Sequence, residues 1–179
     1  MFKIWNILFF LTLICSSLSC ISSKNTKEKI KAECQIMSAN ESEVTGLAIF
    51  SEENKEVVMS IYVKNLTQGL HAIHIHEFGN CSSNDAKSAG GHWNPDNQNH
   101  GKWGSSSHHK GDIANLKADS LGIAKLKFKT PLWCLDCQDS LKNIIGKSII
   151  IHEGIDDFKS QPSGNAGKRI GCGVIKIKV

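Results

Sequence analysis

Apolar residues recur at every second position over much of this chain. Ala124, Leu126 and Phe128 face one way, and Lys125, Lys127 and Lys129 face the other. Ile175, Ile177 and Val179 alternate with Lys176 and Lys178, and Glu56 to Leu66 alternates in part. Ser148 to Ile151 is a short apolar run. A period of two sends successive side chains to opposite faces, so these segments predict half-buried strands. No segment sustains a helical period. Short strands punctuated by Gly, Asn and Ser argue for an antiparallel sandwich or barrel. The 179 residues read as one domain, long enough to bury a real core.

Two stretches break the rhythm. From Phe78 to Gly111 there are 34 residues with no period, rich in Gly, Ser, Asn and His. A loop that long inside a compact domain is usually functional or disordered. Metal ligation would offset the entropy of ordering it. The second stretch, Asp156 to Lys168, precedes the last strand region.

The first residues read differently. Lys3 gives a short basic start, Ile4 to Ile14 is mostly apolar, and Ser16 to Ser19 is small and polar. The apolar stretch is short for a membrane span, so residues 1–19 are expected to be an export signal cut before Cys20. A lipoprotein signal would cut the same bond and acylate Cys20. A buried N-terminal helix is the plainer alternative. Residues 20–29 are read as a flexible polar tether and 30–179 as the domain. Removing Lys3 with the signal leaves +3 of the formal +4 charge. No basic block with interleaved aromatics is present, so nucleic acid is not the expected partner, whereas a small anion is compatible. The protein is expected outside the cytoplasm, periplasmic or extracellular, and tethered to a membrane if Cys20 is acylated. Export makes disulfides permissible for Cys34, Cys81, Cys134, Cys137 and Cys172, but spacing alone does not fix their pairing.

Seven of the eight histidines lie between positions 71 and 109, and His152 stands far downstream. Imidazole is the commonest metal ligand, and such a cluster points to a site assembled by folding. His74 and His76, two apart on a predicted strand, share one face and can reach one ion. His71 has the opposite parity and should point away. An alternating pair is otherwise just a solvated strand face. His109 and Asp112 pair an imidazole with a carboxylate in a way suited to zinc, and His92 and His100 could complete the set. A set of histidines alone suits copper or zinc. His108, adjacent to His109, is the weaker candidate of the two. Cys134-Leu135-Asp136-Cys137 is a lone CxxC, better read as a local disulfide or a surface thiol pair than as a zinc or redox centre.

Taken in order, GLHAIHIHEFG (69–79), SAGGHWNP (88–95), HKGD (109–112), IIIHE around His152 and GNAGKRIGCGV (164–174) resemble copper/zinc superoxide dismutase. The resemblance runs from about Ile30 to the end. It implies an all-β fold, an immunoglobulin-like Greek-key β-sandwich or barrel of about eight antiparallel strands with two long functional loops. It also implies one copper and one zinc per chain. Copper would be held by His74, His76, His92 and His152, and zinc by His92, His100, His109 and Asp112, with His92 bridging. Arg169 would hold the superoxide anion beside the copper. Asp156 would orient one histidine of each set, His74 and His100. Cys81 and Cys172 would form the disulfide, and His71 would be structural.

The chemistry agrees with those roles. Copper cycles between two oxidation states, and zinc does not. An anionic substrate wants a fixed cation, and a guanidinium stays charged.

The chain also departs from the best-known pattern. The loop 156–168 is short and lacks the usual cluster of charges, and the loop after Phe78 carries an insertion before Ser88. Cys134 and Cys137 match no family cysteine pair. Cys34 aligns with a buried first-strand thiol. Two other readings are carried: a non-catalytic copper-binding or copper-delivery domain, and a structural sandwich with vestigial ligands. Both a homodimer and a monomer fit the resemblance.

Overall fold

The computed structural model describes residues 30–178. The expected export signal and tether, with Cys20, fall in residues 1–29, outside the described residues. Eight strands form the body: β1 (Lys31–Ser38), β2 (Thr45–Glu53), β3 (Glu56–Lys64), β4 (Gly69–His76), β5 (Asp112–Ala118), β6 (Ala124–Thr130), β7 (Ser148–His152) and β8 (Arg169–Val174). A two-residue β9 (Lys176–Ile177) and a single 3-10 turn (Lys87–Ala89) complete the set among the described residues. All ladders are antiparallel, in the order β5-β4-β7-β8-β1-β2-β3-β6. Cα atoms of the two end strands, β5 and β6, approach within 8 Å, so the sheet nearly closes into a barrel. The joint between β8 and β1 is short, only Met37 opposite Cys172 and Ser38 opposite Gly171.

Alternation builds the interior. Ala32, Cys34 and Ile36 of β1 point inward with Ala48 and Phe50 of β2, Met59, Ile61 and Val63 of β3, and Ile73 and Ile75 of β4. Ile149 and Ile151 of β7 join them. The C-terminal end departs from the sequence reading. Ile175 is fully buried, but Ile177 is 37 % exposed on β9, which pairs with β1 at the sheet edge. The alternation there marks a short edge strand instead of a continued core strand.

Two register shifts decide where the chemistry goes. On β5 the register skips from Ala114, opposite Ile73, to Asp112, opposite His74, and leaves Ile113 as an extra residue. On β8 it skips from Gly171, opposite Ile151, to Arg169, opposite His152, and leaves Ile170 extra. Bulges re-aim side chains. These two set Asp112 against His74 and Arg169 against His152.

Candidate metal centre

His74 and His76 lie on β4, and their neighbours Ile73 and Ile75 are in the core. The two histidines therefore point out of the barrel, yet they are buried because the loop 78–111 covers them. That loop is held by backbone pairing. His92 bridges to His76, Trp93 N–H donates to the Ile75 carbonyl at 2.8 Å, and Gly111 N–H donates to the Trp93 carbonyl at 3.0 Å. A Cβ on Gly111 would overlap the Ile75 carbonyl, so this close approach needs glycine. His152 ends β7.

Ring nitrogens of His74, His76, His92 and His152 gather within 4.8 Å of one another. Donor atoms of His92, His100, His109 and Asp112 form a second such group. His92 belongs to both. In the second group, Asp112 Oδ1 lies 2.9 Å from His92 Nδ1, 3.0 Å from His100 Nδ1 and 3.2 Å from His109 Nδ1. Four ligands about 2.0–2.1 Å from a tetrahedral ion would be spaced about 3.3 Å apart, close to these values. Asp112 Oδ2 is fixed by the N–H groups of Gly101 and His109.

The groups that do not face these centres fix the ring tautomers. His74 Nε2–H donates to Asp156 Oδ2 at 2.8 Å, and His100 Nε2–H donates to Asp156 Oδ1 at 2.9 Å. His76 Nδ1–H donates to the Gly90 carbonyl at 2.9 Å, and His152 Nδ1–H to that of Gly167 at 3.3 Å. Each ring then turns a lone pair inward. Those inward atoms, His74 Nδ1, His76 Nε2, His92 Nε2, His152 Nε2, His100 Nδ1 and His109 Nδ1, are buried without a hydrogen-bond partner. An unsatisfied buried polar atom costs about 1–3 kcal/mol. Six converging on two points fit two cations. An all-imidazole set suits copper, and three imidazoles with a carboxylate suit zinc.

Electrostatics follow from burial. Burial and the nearby rings hold His76 and His152 well below the ordinary imidazole range. Burial pulls His92 down to about 4, against the hydrogen bond that Asp112 accepts from it. For His100 burial pulls downward too, but the Asp112 carboxylate 3.0 Å from its Nδ1 and the bond to Asp156 outweigh it and lift the ring to about 9. Burial would raise Asp112 and Asp156, yet the histidines bonded to them hold both well below the carboxylate range.

A cavity of about 520 Å³ opens over the centre, lined by His76, His92, His109, His152, Gln161 and Arg169, among others. Arg169 is held at two points, Nη1–H to the Ala86 carbonyl and Nη2–H to that of Gly90, both 2.8 Å. The Cys81–Cys172 disulfide ties the loop to β8. Cys134 and Cys137 form a local disulfide, and Cys34 is a fully buried free thiol pushed up to about 12 by burial. His71 stands outside both groups, between the His152 carbonyl and Thr67. His108 is also outside, its ring 4.6 Å from that of Trp103. Sequence reasoning missed Gln161, Gly90 and Gly167. Backbone acceptors carry no residue signature, and an isolated loop glutamine carries none either.

A nearly closed antiparallel barrel with two ligand sets sharing one histidine, beneath an arginine-lined mouth, defines a binuclear copper–zinc redox protein. The family model described as "Copper/zinc superoxide dismutase (SODC)" matches residues 44–175. The chain is 37% identical over 167 residues to "Superoxide dismutase [Cu-Zn] 2" of Aquifex aeolicus, covering 92% of this chain and 96% of the relative. It is 38% identical to "Superoxide dismutase [Cu-Zn] A" of Xenopus laevis, over 82% of this chain and 97% of the relative. Against "Superoxide dismutase [Cu-Zn]" of Caulobacter vibrioides it is 35% identical, over 79% and 83%. The chain belongs to the copper/zinc superoxide dismutase family of oxidoreductases, and its cofactors are copper and zinc.

Proposed function

We propose that this protein dismutes superoxide, converting two superoxide anions and two protons into dioxygen and hydrogen peroxide. In this reading His74, His76, His92 and His152 hold copper, and His92, His100, His109 and Asp112 hold zinc. The observation that carries it is the two-sided His92. Its Nδ1 faces Asp112 at 2.9 Å, and its Nε2 is buried, unpartnered and turned to the other set. When bound, copper supplies a one-electron couple, and zinc supplies a fixed charge and geometry.

The chain's own groups do the rest. Arg169 binds the anion. Its two carbonyl partners fix the guanidinium fork and leave further N–H donors for superoxide. His92 Nε2, when free, is a site for one of the protons that peroxide requires. Asp156 keeps His74 and His100 in the tautomers that face inward. Copper storage or delivery without turnover is the second reading. Arg169 counts against it, because a carrier has no use for an anion-binding cation beside the copper set.

The proposal extends to location. The Cys81–Cys172 bond fits an oxidising compartment. We read residues 1–19 as an export leader, 20–29 as a tether and 30–179 as the catalytic domain, in the periplasm or outside the cell. Mass spectrometry of the exported protein tests acylation at Cys20, and sedimentation tests the homodimer.

The central test is superoxide decay by protein loaded with one copper and one zinc, beside a His92→Ala variant. Fast turnover in the wild type and a loss of a hundredfold or more in the variant are expected. A fully metallated, disulfide-intact wild type without turnover would overturn the enzyme reading.

A further inference from the structure

We propose that Gln161 is a positioning residue for the zinc set, whose side-chain amide latches the backbone of His100 to the loop 156–168. Gln161 Oε1 accepts the His100 N–H at 2.8 Å, and Gln161 Nε2–H donates to the His100 carbonyl at 2.9 Å. One amide satisfies both backbone groups of a single residue 61 positions away, as a neighbouring strand would. The inference rests on His100 being a zinc ligand.

His100 is the ligand candidate that most needs such a partner. His74, His76 and His152 lie on strands, and His92 bridges to His76. His109 sits three residues before Asp112, where β5 begins. His100 lies on no strand, in the middle of the long loop. Both of its handles come from the second loop: Asp156 on the ring and Gln161 on the backbone.

That second loop is built to present the amide firmly. Asp157 accepts from the Lys159 N–H, the Ser160 N–H and the Ser160 hydroxyl. Gly164 N–H donates to the Ser160 carbonyl at 2.7 Å, and Asp157 N–H donates to the Gly164 carbonyl at 2.9 Å. Gly164 has φ +66°, and a Cβ there would overlap Asp156 Oδ1 and lie 2.7 Å from His100 Nε2. Glycine lets the loop close directly over the Asp156–His100 pair. Gln161 also lines the mouth of the cavity. Latching therefore couples the order of that wall to zinc at His100, and the coupling is reciprocal.

The test uses the full, disulfide-intact chain stripped of metal. Zinc affinity is measured by chelator competition, and site geometry by the visible absorption of cobalt(II) bound in place of zinc. Gln161→Ala removes the amide. Gln161→Met keeps its length without its hydrogen bonds and carries the test if the alanine variant does not fold. Both variants are expected to bind zinc about tenfold more weakly, the usual loss for an orienting partner. Their cobalt bands should shift while the thermal midpoint of the metal-free protein stays unchanged. Wild-type zinc affinity within twofold in the Gln161 variants, alongside lost affinity in His100→Ala, would overturn the latch. So would an equal loss of metal-free stability, which would mark general packing. Wild-type affinity in His100→Ala would instead overturn the ligand reading, and the latch with it.

Discussion

Replacing both Cys81 and Cys172 with alanine should weaken the fold and the reaction together. The cross-link spans 91 positions. Opening a loop of that size returns conformational entropy to the unfolded chain equivalent to about 4.6 kcal/mol at 25 °C. The native side adds a smaller loss. Cys172 is buried with Ala39, Ala86, Ala89 and Ile150, and Cys81 packs against them, so two absent sulfurs leave gaps worth about 1 kcal/mol. The expected total of about 5.6 kcal/mol is a large part of the roughly 5–15 kcal/mol that holds a typical domain. The functional effect travels through Arg169. Its guanidinium is held by the carbonyls of Ala86 and Gly90, which lie in the segment that Cys81 anchors to β8. Loosening that segment displaces the anion-binding fork, and small misplacements cost on the order of tenfold to a hundredfold in rate. Urea unfolding of the metal-free protein measures the first effect, and superoxide decay by the loaded protein measures the second. A stability loss below about 1 kcal/mol would refute the loop-entropy argument. Undiminished kcat/KM in a fully loaded variant would refute the link to Arg169.

Two further outcomes test other parts of the site and core. Asp156→Ala removes the acceptor of both His74 Nε2–H and His100 Nε2–H, and zinc affinity should fall by about 10- to 100-fold. Copper should lose less because His74 is held in β4, so a larger copper loss in chelator titrations would contradict this account. Cys34, raised to about 12 by burial against an ordinary value of 9.0, keeps its proton in the fold where the unfolded chain has lost it. Its contribution is therefore complete below pH 9 and fades as pH rises toward 12, amounting to about 2 kcal/mol by pH 10.5. Unfolding midpoints of wild type and Cys34→Ala should converge over that range, and parallel pH profiles would sink the idea.

The strands were legible where one face is apolar and the other charged. β6, with Lys125, Lys127 and Lys129 outward, shows the clean case. β2 gave no such signal because Leu47 and Ile49 on its outer face are apolar as well, which hides the period. β1 was equally quiet, since small Ala32 and Cys34 fill most of its inner face and Met37 lies outside. The bulges at Ile113 and Ile170 could not be read, since nothing in their residue types marks an extra position. The residues that gather into the two donor groups could be nominated from sequence because imidazoles are few and their order along the chain is informative. Ring tautomers were not legible, because the deciding acceptors on His76 and His152 are backbone carbonyls.

That difference separates the two metal sets physically. In the set proposed for copper, three rings ride on ladders of β4 and β7, and the fourth is bridged to β4. The ladders of the barrel position these rings by their own backbone pairing. In the set proposed for zinc, Asp112 begins a strand and His92 is bridged to β4, but His100 and His109 come from stretches of the long loop that lie on no strand. Bringing those two to the site fixes backbone that the core does not fix, and each ordered residue costs about 1–2 kcal/mol. The hydrogen bonds that Asp156 accepts from the His100 ring and that Asp112 accepts from the His109 N–H offset part of this. Zinc binding must supply much of the remainder, since ligand binding to a site absent in the unfolded chain is folding free energy. On the proposed ligand assignment the two ions divide their contributions: copper brings chemistry to rings that the strands position, and zinc organises the loop that roofs them.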